Sequence, residues 1–263
     1  MAIFKKIGKR LSKAYFKEPK MTHEEWATKK VYFPSQDISP ILGYFKIKFS
    51  PQYKLLFKLM DRPDVHTLFA KWASQSGKSL FEMLIIGYRL DNEPANVLYM
   101  QPIKDDIPKV LRLKINPVLK CIKDLWQKFE DYIATEGIRS KDAIKQLAGG
   151  SLVVSGSSVK ERKSLTVPLL VMDEIGEFDK GAVKEASERL KAFSKFFPKK
   201  IGVSTIVHPK DEICTNFENC EAIMEWRYKC PNCKDNFYPS RETFKFMTKK
   251  EFADLNNIPE NEV

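Results

Sequence analysis

The sequence predicts an α/β fold in which helices cover both faces of a mainly parallel sheet. Strand-like runs such as residues 169–172, "LLVM", are apolar throughout, which is typical of strands buried on both faces. Such runs alternate along the chain with segments of helical periodicity. At 263 residues the chain is long enough for one large domain of this kind with a small C-terminal appendage.

The sequence predicts a series of helices and strands for the main domain, residues 22–213. In chain order they are a polar helix near residue 22, an extended segment at 34–66, a strand at 66–71, a helix at 78–90, a strand at 96–101, a helix from 103 to about 133, a hairpin at 143–156, a strand at 167–174, a helix at 179–196 and a strand at 199–205.

Local residue patterns decide these assignments. In the helix at 78–90, Leu80, Leu84 and Gly87 recur at helical spacing and share one face. The Gly-Gly pair at 149–150 joins two alternating runs, which is a hairpin signal. Pro117 lacks a backbone N–H, so we expect the long helix to break or kink near it.

Two segments flank the main domain. Residues 1–21 form a basic arm with seven Lys and Arg residues between Lys5 and Lys20. We interpret the arm either as a solvated helix or tail, or as an arm for nucleic acid or a partner. Its apolar residues are interrupted every few positions, which excludes a signal-peptide core. Residues 214–263 are polar, aromatic and Cys-containing, and we expect an appendage or linker there.

The charge balance indicates a polyanionic partner. The chain has 45 Lys and Arg against 34 Asp and Glu, a formal net charge of +11. This excess suits nucleic acid first and an anionic membrane second. Because the basic residues are spread along the chain, they favour non-specific, salt-sensitive contacts with phosphates. No run of about 18 apolar residues exists, so we expect no transmembrane helix, and the five cysteines favour a reducing cytoplasm.

The octapeptide "WASQSGKS", residues 72–79, is the first candidate site. Its last three residues, Gly77, Lys78 and Ser79, match the end of a phosphate-binding loop, although Trp72 stands where the first Gly of that loop is expected. A strand precedes the loop and a helix follows it. The loop's backbone N–H groups and the helix dipole would then surround phosphates.

Specific roles follow for the loop residues. We expect Ser74, Gln75, Ser76 and Gly77 to line the phosphates of ATP. Lys78 would reach the β- and γ-phosphates, and the Ser79 hydroxyl would ligate Mg²⁺. The alternative is an ordinary turn that carries a chance tripeptide.

The second half of the candidate site is the acid pair that ends "LLVMDE", residues 169–174. The tip of a strand is where an α/β sheet places ligands. Asp173 would hold the Mg²⁺ shell, and Glu174 would polarise the attacking water as the catalytic base. Gln52, upstream of the loop, either recognises adenine through its amide or is an ordinary surface residue.

The chain resembles the ATPase domain of the large terminase subunit of tailed bacteriophages, the DNA-packaging motor. The resemblance covers most of residues 30–240 and rests on motifs in order: "FSPQYKLLFKL", "WASQSGKS", "LLVMDEIGEFD", "GVSTIV" and the Cys-containing "YKCPNCKDNFYP". It implies a RecA-like P-loop ATPase of the additional-strand class. Large terminases commonly deviate at the first Gly of the loop, so Trp72 fits that family.

The resemblance also assigns residues and partners. It implies that Ser204 and Thr205 correspond to the motif that couples hydrolysis to DNA movement, with Thr205 close enough to sense the γ-phosphate. It implies a basic residue that serves a neighbouring subunit, for which Arg162 is the candidate. Lys163 could take its place in the alignment, and the alternative is a solvated basic loop.

The partners that the resemblance implies are double-stranded DNA, a portal protein and a small terminase subunit. The working form would be a homo-oligomeric ring on the procapsid in the cytoplasm of the infected bacterial host, with a monomer in isolation and no role for a membrane. Because the chain ends at Val263, we expect no room for the family's nuclease domain and no nuclease activity from these residues.

Cys230 and Cys233 have the spacing of one half of a zinc site. A closed site needs two more ligands, and the nearby candidates Cys214, Cys220 and His208 show no matching spacing. We therefore expect zinc to be unlikely in these residues, with reduced thiols instead.

Two competing functions remain open from the sequence. A helicase-like DNA-dependent ATPase would need a second RecA-like domain, for which the chain lacks the length. A non-catalytic DNA-binding module with a degenerate nucleotide site is favoured by Trp72, whereas Lys78, Ser79 and Glu174 together argue against it.

Overall fold

The computed structural model describes residues 21–102, 107–136, 143–158, 165–230 and 232–237. These residues fall into two compact units that divide after Glu221. The predictions for the basic arm up to residue 20 and for Arg162 and Lys163 lie outside the described residues.

The helices are given in chain order. They are α1 (His23–Lys30), α2 (Gln52–Asp61), α3 (Lys78–Asn92), α4 (Ile107–Val110), α5 (Asn116–Lys120), α6 (Lys123–Glu136), α7 (Ala182–Ser187) and α8 (Glu212–Glu218). Shorter or tighter segments are a π-helical turn at Leu111–Ile115 and 3₁₀ segments at Ile47–Phe49, Ile175–Glu177 and Glu188–Phe196.

The strands are β1 (Tyr32–Phe33), β2 (Gly43–Tyr44), β3 (Thr67–Lys71), β4 (Val97–Gln101), β5 (Ile144–Leu147), β6 (Gly150–Gly156), β7 (Leu169–Asp173), β8 (Lys199–Ser204), β9 (Tyr228–Lys229) and β10 (Asn236–Phe237). Six of them form the central sheet in the order β3-β8-β7-β4-β6-β5. All neighbours in it are parallel except β5 and β6, which form an antiparallel hairpin. The predicted α/β class with a mainly parallel sheet is confirmed, and so is the hairpin.

Alternate side chains of the same strands point to the two faces of the sheet, and both faces are buried. Val97 and Tyr99 lie in one hydrophobic cluster, with α3, whereas Leu98 and Met100 lie in another, with α7 and α8. Since successive side chains of a strand point to opposite faces, a strand covered on both sides must be apolar throughout. Each fully buried side chain of this size contributes roughly 1.5–3 kcal/mol relative to exposure.

The position of β8 determines the architecture of the site. β8 pairs with β3 on one side and with β7 on the other, so it separates the strand before the phosphate loop from the strand that ends in Asp173. The carboxyl ends of these three parallel strands therefore lie at one edge of the sheet. This is the additional-strand arrangement that the family resemblance implied.

The sequence suggested that residues 34–66 are extended. The structure shows that they are not extended throughout. Helix α2 occupies Gln52–Asp61 because Tyr53, Phe57 and Met60 recur at helical spacing and are all buried. The predicted helix at 179–196 is α-helical only at Ala182–Ser187 and then continues as a 3₁₀ segment.

The helix predicted from 103 to about 133 is interrupted where Pro117 suggested, but the form of the interruption was not foreseen. Between α4 and α5 the backbone widens into a π-helical turn, Leu111–Ile115, in which the Asn116 N–H donates to the Leu111 carbonyl. Pro117 cannot donate to the carbonyl four residues before it, which favours a shift of the hydrogen-bond ladder at this point.

The second unit contains an antiparallel pair, β9 and β10, with Tyr228 opposite Phe237 and Lys229 opposite Asn236. Cys230 and Cys233 lie in the turn between the two strands. Within the described ranges, no helix has the length and apolarity needed to cross a bilayer.

Candidate active site

The loop at 72–77 connects β3 directly to α3. Gly77 has φ +93°, and a Cβ at this position would collide with the hydroxyl of Tyr53. Tyr53, on α2, donates its hydroxyl hydrogen bond to the Gly77 carbonyl. Glycine is therefore required here both by the left-handed backbone and by the close approach of a buried tyrosine.

Trp72 occupies the position of the first Gly of a standard phosphate-binding loop, and it anchors the loop there. Its indole N–H donates to the Ser76 carbonyl at 3.2 Å, and its ring lies 5.8 Å from the ring of Tyr53 and 5.5 Å from that of Phe81. Its backbone N–H donates to the Ser204 carbonyl at 2.9 Å, which ties the loop to β8. A bulky residue thus closes this loop through packing and one side-chain hydrogen bond.

The other predicted loop residues are placed as follows. Ser74, Gln75 and Ser76 are exposed, and Gln75 has φ +58°. Ser79 is half-buried as the second residue of α3. The Gln52 side-chain amide lies against the loop and donates to the Ser76 carbonyl at 3.4 Å.

Lys78 is brought directly to the acid pair. Its ammonium forms an ion pair with Glu174 Oε1 and lies 3.4 Å from Asp173 Oδ1. The Lys78 and Asp173 side chains are only 9% and 8% exposed. The two halves of the candidate site, far apart in the sequence, therefore meet at the edge defined by β3, β8 and β7.

Asp173 is held by two groups that the sequence analysis did not identify. Tyr99, on β4, donates its hydroxyl to Asp173 Oδ2 at 2.9 Å, and the Lys114 ammonium pairs with the same oxygen. Burial opposes ionisation of Asp173, but Lys114 and Lys78 outweigh it and lower the pKa of the carboxyl. Asp173 is therefore a carboxylate at neutral pH.

Glu174 is fixed through its second oxygen by the residues that end β8. The Thr205 N–H and hydroxyl donate to Glu174 Oε2 at 3.2 and 3.1 Å, and the Ser204 hydroxyl lies 3.2 Å from it. The Gly176 N–H donates to Ser204 Oγ at 3.0 Å. The predicted pair at 204–205 therefore contacts the predicted catalytic base.

Glu82 is the third residue that the sequence analysis missed. It lies one turn after Lys78 on α3, is 0% exposed, and its Oε2 is 3.6 Å from the Lys114 ammonium. Burial, and then the neighbouring Asp173, raise the pKa of Glu82 well above its ordinary value. The available signal was an acid inside the apolar helical run "LFEMLIIG".

The fit of a divalent cation can be tested on the donor atoms. Asp173 Oδ1 is buried and has no hydrogen-bond partner among the described residues, so it has a lone pair to offer. Carboxylate and hydroxyl oxygens are the ligands that Mg²⁺ prefers, and they leave positions for phosphate oxygens and water. Asp173 and Ser79 would hold the ion. The described part of the chain has no cluster of three His, Cys, Asp or Glu that could hold a metal.

The turn that contains Cys230 and Cys233 has the local geometry of a knuckle whose thiolates bind a metal. Backbone N–H groups of Cys233, Asn232 and Lys234 donate toward the Cys230 sulfur and lower the pKa of that thiol. The two further ligands of a closed zinc site do not lie among the described residues.

Comparison with known proteins gives one family match. Residues 39–258 match the sequence model of the phage terminase large subunit gpA, ATPase domain, which is more than half of the chain. Comparison with curated protein sequences finds no significant match.

Solved structures with a similar fold are also phage terminases. The crystal structure of the HK97 bacteriophage large terminase has a TM-score of 0.57 at 13% identity, over 75% of this chain and 40% of that one. The Thermus phage P74-26 large terminase ATPase domain has a TM-score of 0.41 at 12% identity, over 53% of this chain and 59% of that one. The large terminase of another thermophilic bacteriophage has a TM-score of 0.41 at 15% identity, over 61% and 38%.

These structural matches bear on the fold alone, because their sequence identities are low. The match to the HK97 protein supports an α/β domain like the ATPase part of a large terminase. The chain spans 40% of the length of that protein.

Proposed function

This chain belongs to the family of phage terminase large subunit gpA ATPase domains, and we propose that it hydrolyses ATP to move double-stranded DNA. The observation that carries the proposal is the convergence of Lys78, Asp173, Glu174 and Thr205 at one edge of the sheet. These are a phosphate-binding cation, a metal-binding acid, a base and a polar group beside the base.

The loop supplies the binding site for the ATP phosphates. The backbone from Ser74 to Gly77 and the start of α3 direct N–H groups and the positive end of the helix dipole toward them. We propose that the Gln52 amide, beside this loop, recognises adenine. Mg²⁺ bound by Ser79 and Asp173 would neutralise charge on the phosphates.

Lys78 links phosphate binding to the state of the base. Its ammonium pairs with Glu174 Oε1, so a γ-phosphate that attracts Lys78 frees that oxygen. Thr205 holds the other oxygen through two hydrogen bonds and keeps the carboxylate oriented. Glu174 Oε1 is then available to orient the attacking water.

The coupling to DNA follows from the same contacts. Thr205 contacts Glu174 and continues from β8, so we propose that 204–205 transmits hydrolysis to the rest of the motor. Arg162, with Lys163 as the alternative, would stabilise transition-state charge in a neighbouring subunit of a ring. The basic excess suits non-specific contacts with double-stranded DNA.

The family implies the setting. We propose that the chain acts on the procapsid portal with a small terminase subunit, in the cytoplasm of the infected bacterium.

ATP turnover with and without double-stranded DNA tests this function. We expect Glu174→Gln to lower turnover at least about 100-fold, because it removes the base, while ATP binding is retained. Glu177→Gln is the matched control, since Glu177 is an exposed acid three residues away, and it should behave as wild type. If wild type and Glu174→Gln both turned over ATP only at the background rate, the proposal that the chain is an enzyme would be contradicted. The alternative of a non-catalytic DNA-binding module would then be favoured.

A further inference from the structure

Tyr99 is a fully buried polar residue that the reaction described above does not use. It is 0% exposed on β4, and its hydroxyl donates to Asp173 Oδ2 at 2.9 Å. A buried tyrosine hydroxyl usually finds a hydrogen-bond partner, and here the partner is the acid expected to hold the metal. Phenylalanine would fill the same space in the core, so the hydroxyl is the feature that points to a role.

The register of the sheet brings Tyr99 to Asp173. Strands β4 and β7 are parallel neighbours, and Tyr99 lies opposite Val171. Since alternate residues of a strand share a face, Asp173 lies on the same face as Val171, two positions nearer the carboxyl edge. The long side chain of Tyr99 spans this offset and ends at the carboxylate. The contact therefore joins two central strands, which hold side chains more precisely than loops do.

The two oxygens of Asp173 have different surroundings. Oδ2 accepts the Tyr99 hydrogen bond and pairs with the Lys114 ammonium. Oδ1 lies 3.4 Å from the Lys78 ammonium and, within the described ranges, has no hydrogen-bond partner. Lys78 is the first residue of α3, directly after the phosphate loop. The oxygen with an open lone pair is thus the one beside the loop.

We propose that Tyr99 is a positioning residue: its hydroxyl holds Asp173 Oδ2 and thereby directs Oδ1 toward a divalent cation at the phosphate loop. The inference rests on the proposed function, in which Asp173 holds Mg²⁺. It concerns the orientation of a side chain and includes no covalent step.

An aspartate needs such a partner because its backbone does not fix the plane of its carboxylate. The terminal torsion of an aspartate side chain is broad, so the two oxygens can exchange places unless one of them is held. Tyr99 is a rigid donor, since its ring belongs to the hydrophobic cluster that includes Val97 and Val171. Hydrogen bonds to a metal ligand from a neighbouring residue orient that ligand and raise metal affinity.

A neutral hydroxyl suits this role better than a second cation. Lys114 also contacts Oδ2, but its charge would oppose a divalent cation on the same carboxylate, most strongly where solvent is excluded. The Tyr99 hydroxyl donates a hydrogen bond without a net charge. Lys114 is also 24% exposed and has a flexible four-carbon chain, whereas Tyr99 is fully buried. Tyr99 is therefore the contact that can persist beside a bound cation.

Binding of Mn²⁺ alone to the whole chain, followed by electron paramagnetic resonance, tests the positioning role. Tyr99→Phe removes the hydroxyl and keeps the ring. It should bind Mn²⁺ about tenfold more weakly than wild type, at the low end of the range for residues that support metal ligands. Its affinity for ADP in EDTA, where no metal is available, should equal that of wild type because the loop itself is unchanged.

The dependence of ATP turnover on Mg²⁺ gives a second readout. For Tyr99→Phe the Mg²⁺ concentration at half-maximal rate should rise about tenfold, and the maximal rate should return at high Mg²⁺, which is the pattern of lost binding with intact chemistry. A hydroxyl that only stabilises the fold would not give a defect that Mg²⁺ corrects.

Tyr88→Phe is the matched control. Tyr88 is also buried, and its hydroxyl donates to the Met21 carbonyl at 2.8 Å, so the change removes a comparable hydrogen bond and should leave the Mn²⁺ constant unchanged. An unchanged Mn²⁺ constant in Tyr99→Phe, or an equal weakening in Tyr88→Phe, would overturn the proposal. Urea denaturation establishes folding, and Tyr99→Met, which also lacks the hydroxyl, replaces Tyr99→Phe if the latter does not fold.

ATP turnover of wild type, measured in parallel, keeps the two proposals apart. The Mn²⁺ constants decide the role of Tyr99. Absence of turnover in wild type would contradict the proposed function whatever the Mn²⁺ constants are.

Discussion

Gly77 and Glu174 both have left-handed backbones, with φ of +93° and +51°, on the two sides of the candidate site. For glycine this conformation has no steric cost. For glutamate it costs on the order of 1–3 kcal/mol and persists only where the surroundings enforce it. At Glu174 the enforcement comes from Lys78 on one carboxylate oxygen and Thr205 on the other.

Replacement of Gly77 by Ala should be more harmful than the same change at another left-handed glycine. Gly43 has φ +92°, and a Cβ added there would have nothing within 4 Å, so Gly43→Ala carries only the backbone cost of about 1 kcal/mol. Gly77→Ala adds the collision with Tyr53. We expect a larger loss of unfolding free energy, measured in urea, and a weaker affinity for ATP.

If Gly43→Ala and Gly77→Ala lost the same unfolding free energy, and Gly77→Ala kept its affinity for ATP, the role assigned to the contact between Tyr53 and the loop would be contradicted.

The residues of the candidate site differ in whether the sequence alone could identify them. Lys78, Asp173 and Glu174 are each recognisable from the few residues around them, since loop and strand-tip chemistry is local. Lys114 and Tyr99 reach Asp173 across 59 and 74 positions of sequence. Their contacts exist only once the strands and helices are assembled, and no spacing rule connects them.

At the scale of elements, strands were predicted best because their apolar pattern is imposed by burial on both faces. Helix α2 was missed, since it follows a segment rich in Pro and Ser and is recognised only by the spacing of Tyr53, Phe57 and Met60. The π-helical turn was missed for another reason: Pro117 indicates that the helix is irregular nearby, but it does not specify which irregular form the backbone takes.

Helix α8 depends on the N-cap residue Asp211, whose contribution should vary with pH. Partial burial opposes ionisation of Asp211, but hydrogen bonds from the N–H groups of Cys214, Val207 and His208 outweigh it and lower its pKa. Those hydrogen bonds are 2.8, 3.0 and 3.2 Å long. The stabilisation is therefore present above the unfolded-state pKa and is lost as pH falls through the lower folded-state pKa.

Asp211→Ala should lower the free energy of unfolding by about 1 kcal/mol at pH 7. The difference from wild type should shrink as the pH is lowered from about 4 toward 2. Urea denaturation across this pH range measures it. Asp211→Asn, which keeps an acceptor oxygen without a titrating group, should differ from Asp211→Ala by an amount independent of pH. A wild-type advantage that stays constant down to the lowest pH would contradict the role of the charged form.

At the scale of the whole molecule, the buried apolar side chains of the described residues all lie between Trp26 and Cys214. The core of the first unit is thus complete before the chain reaches Ala222, where the second unit begins. The sequence placed the end of the main domain at residue 213. Helix α8 packs on β3, and Ile213 and Cys214 belong to the core, so the first unit extends past that point.

A chain that ends at Glu221 should therefore keep the fold of the first unit. We expect its thermal midpoint to stay within about 3 °C of the full chain, equivalent to roughly 1 kcal/mol, with unchanged affinity for ATP. A chain that ends at Asp211 is the matched control, since it lacks α8 and should lose stability. Loss of ATP binding on truncation at Glu221 would show that the second unit supports the site.

The place of β8 also has a consequence for biosynthesis. Among the described residues, strand β3 is at the edge of the sheet and pairs only with β8, although about half of the chain separates the two strands in sequence. While the ribosome extends the chain, β3 and the loop that follows it have no neighbouring strand until the residues of β8 emerge. The candidate ATP site therefore forms late, after β4, β6 and β7 have been synthesised, and we expect a nascent chain stopped before Ser204 to present an unpaired strand edge that is prone to aggregation.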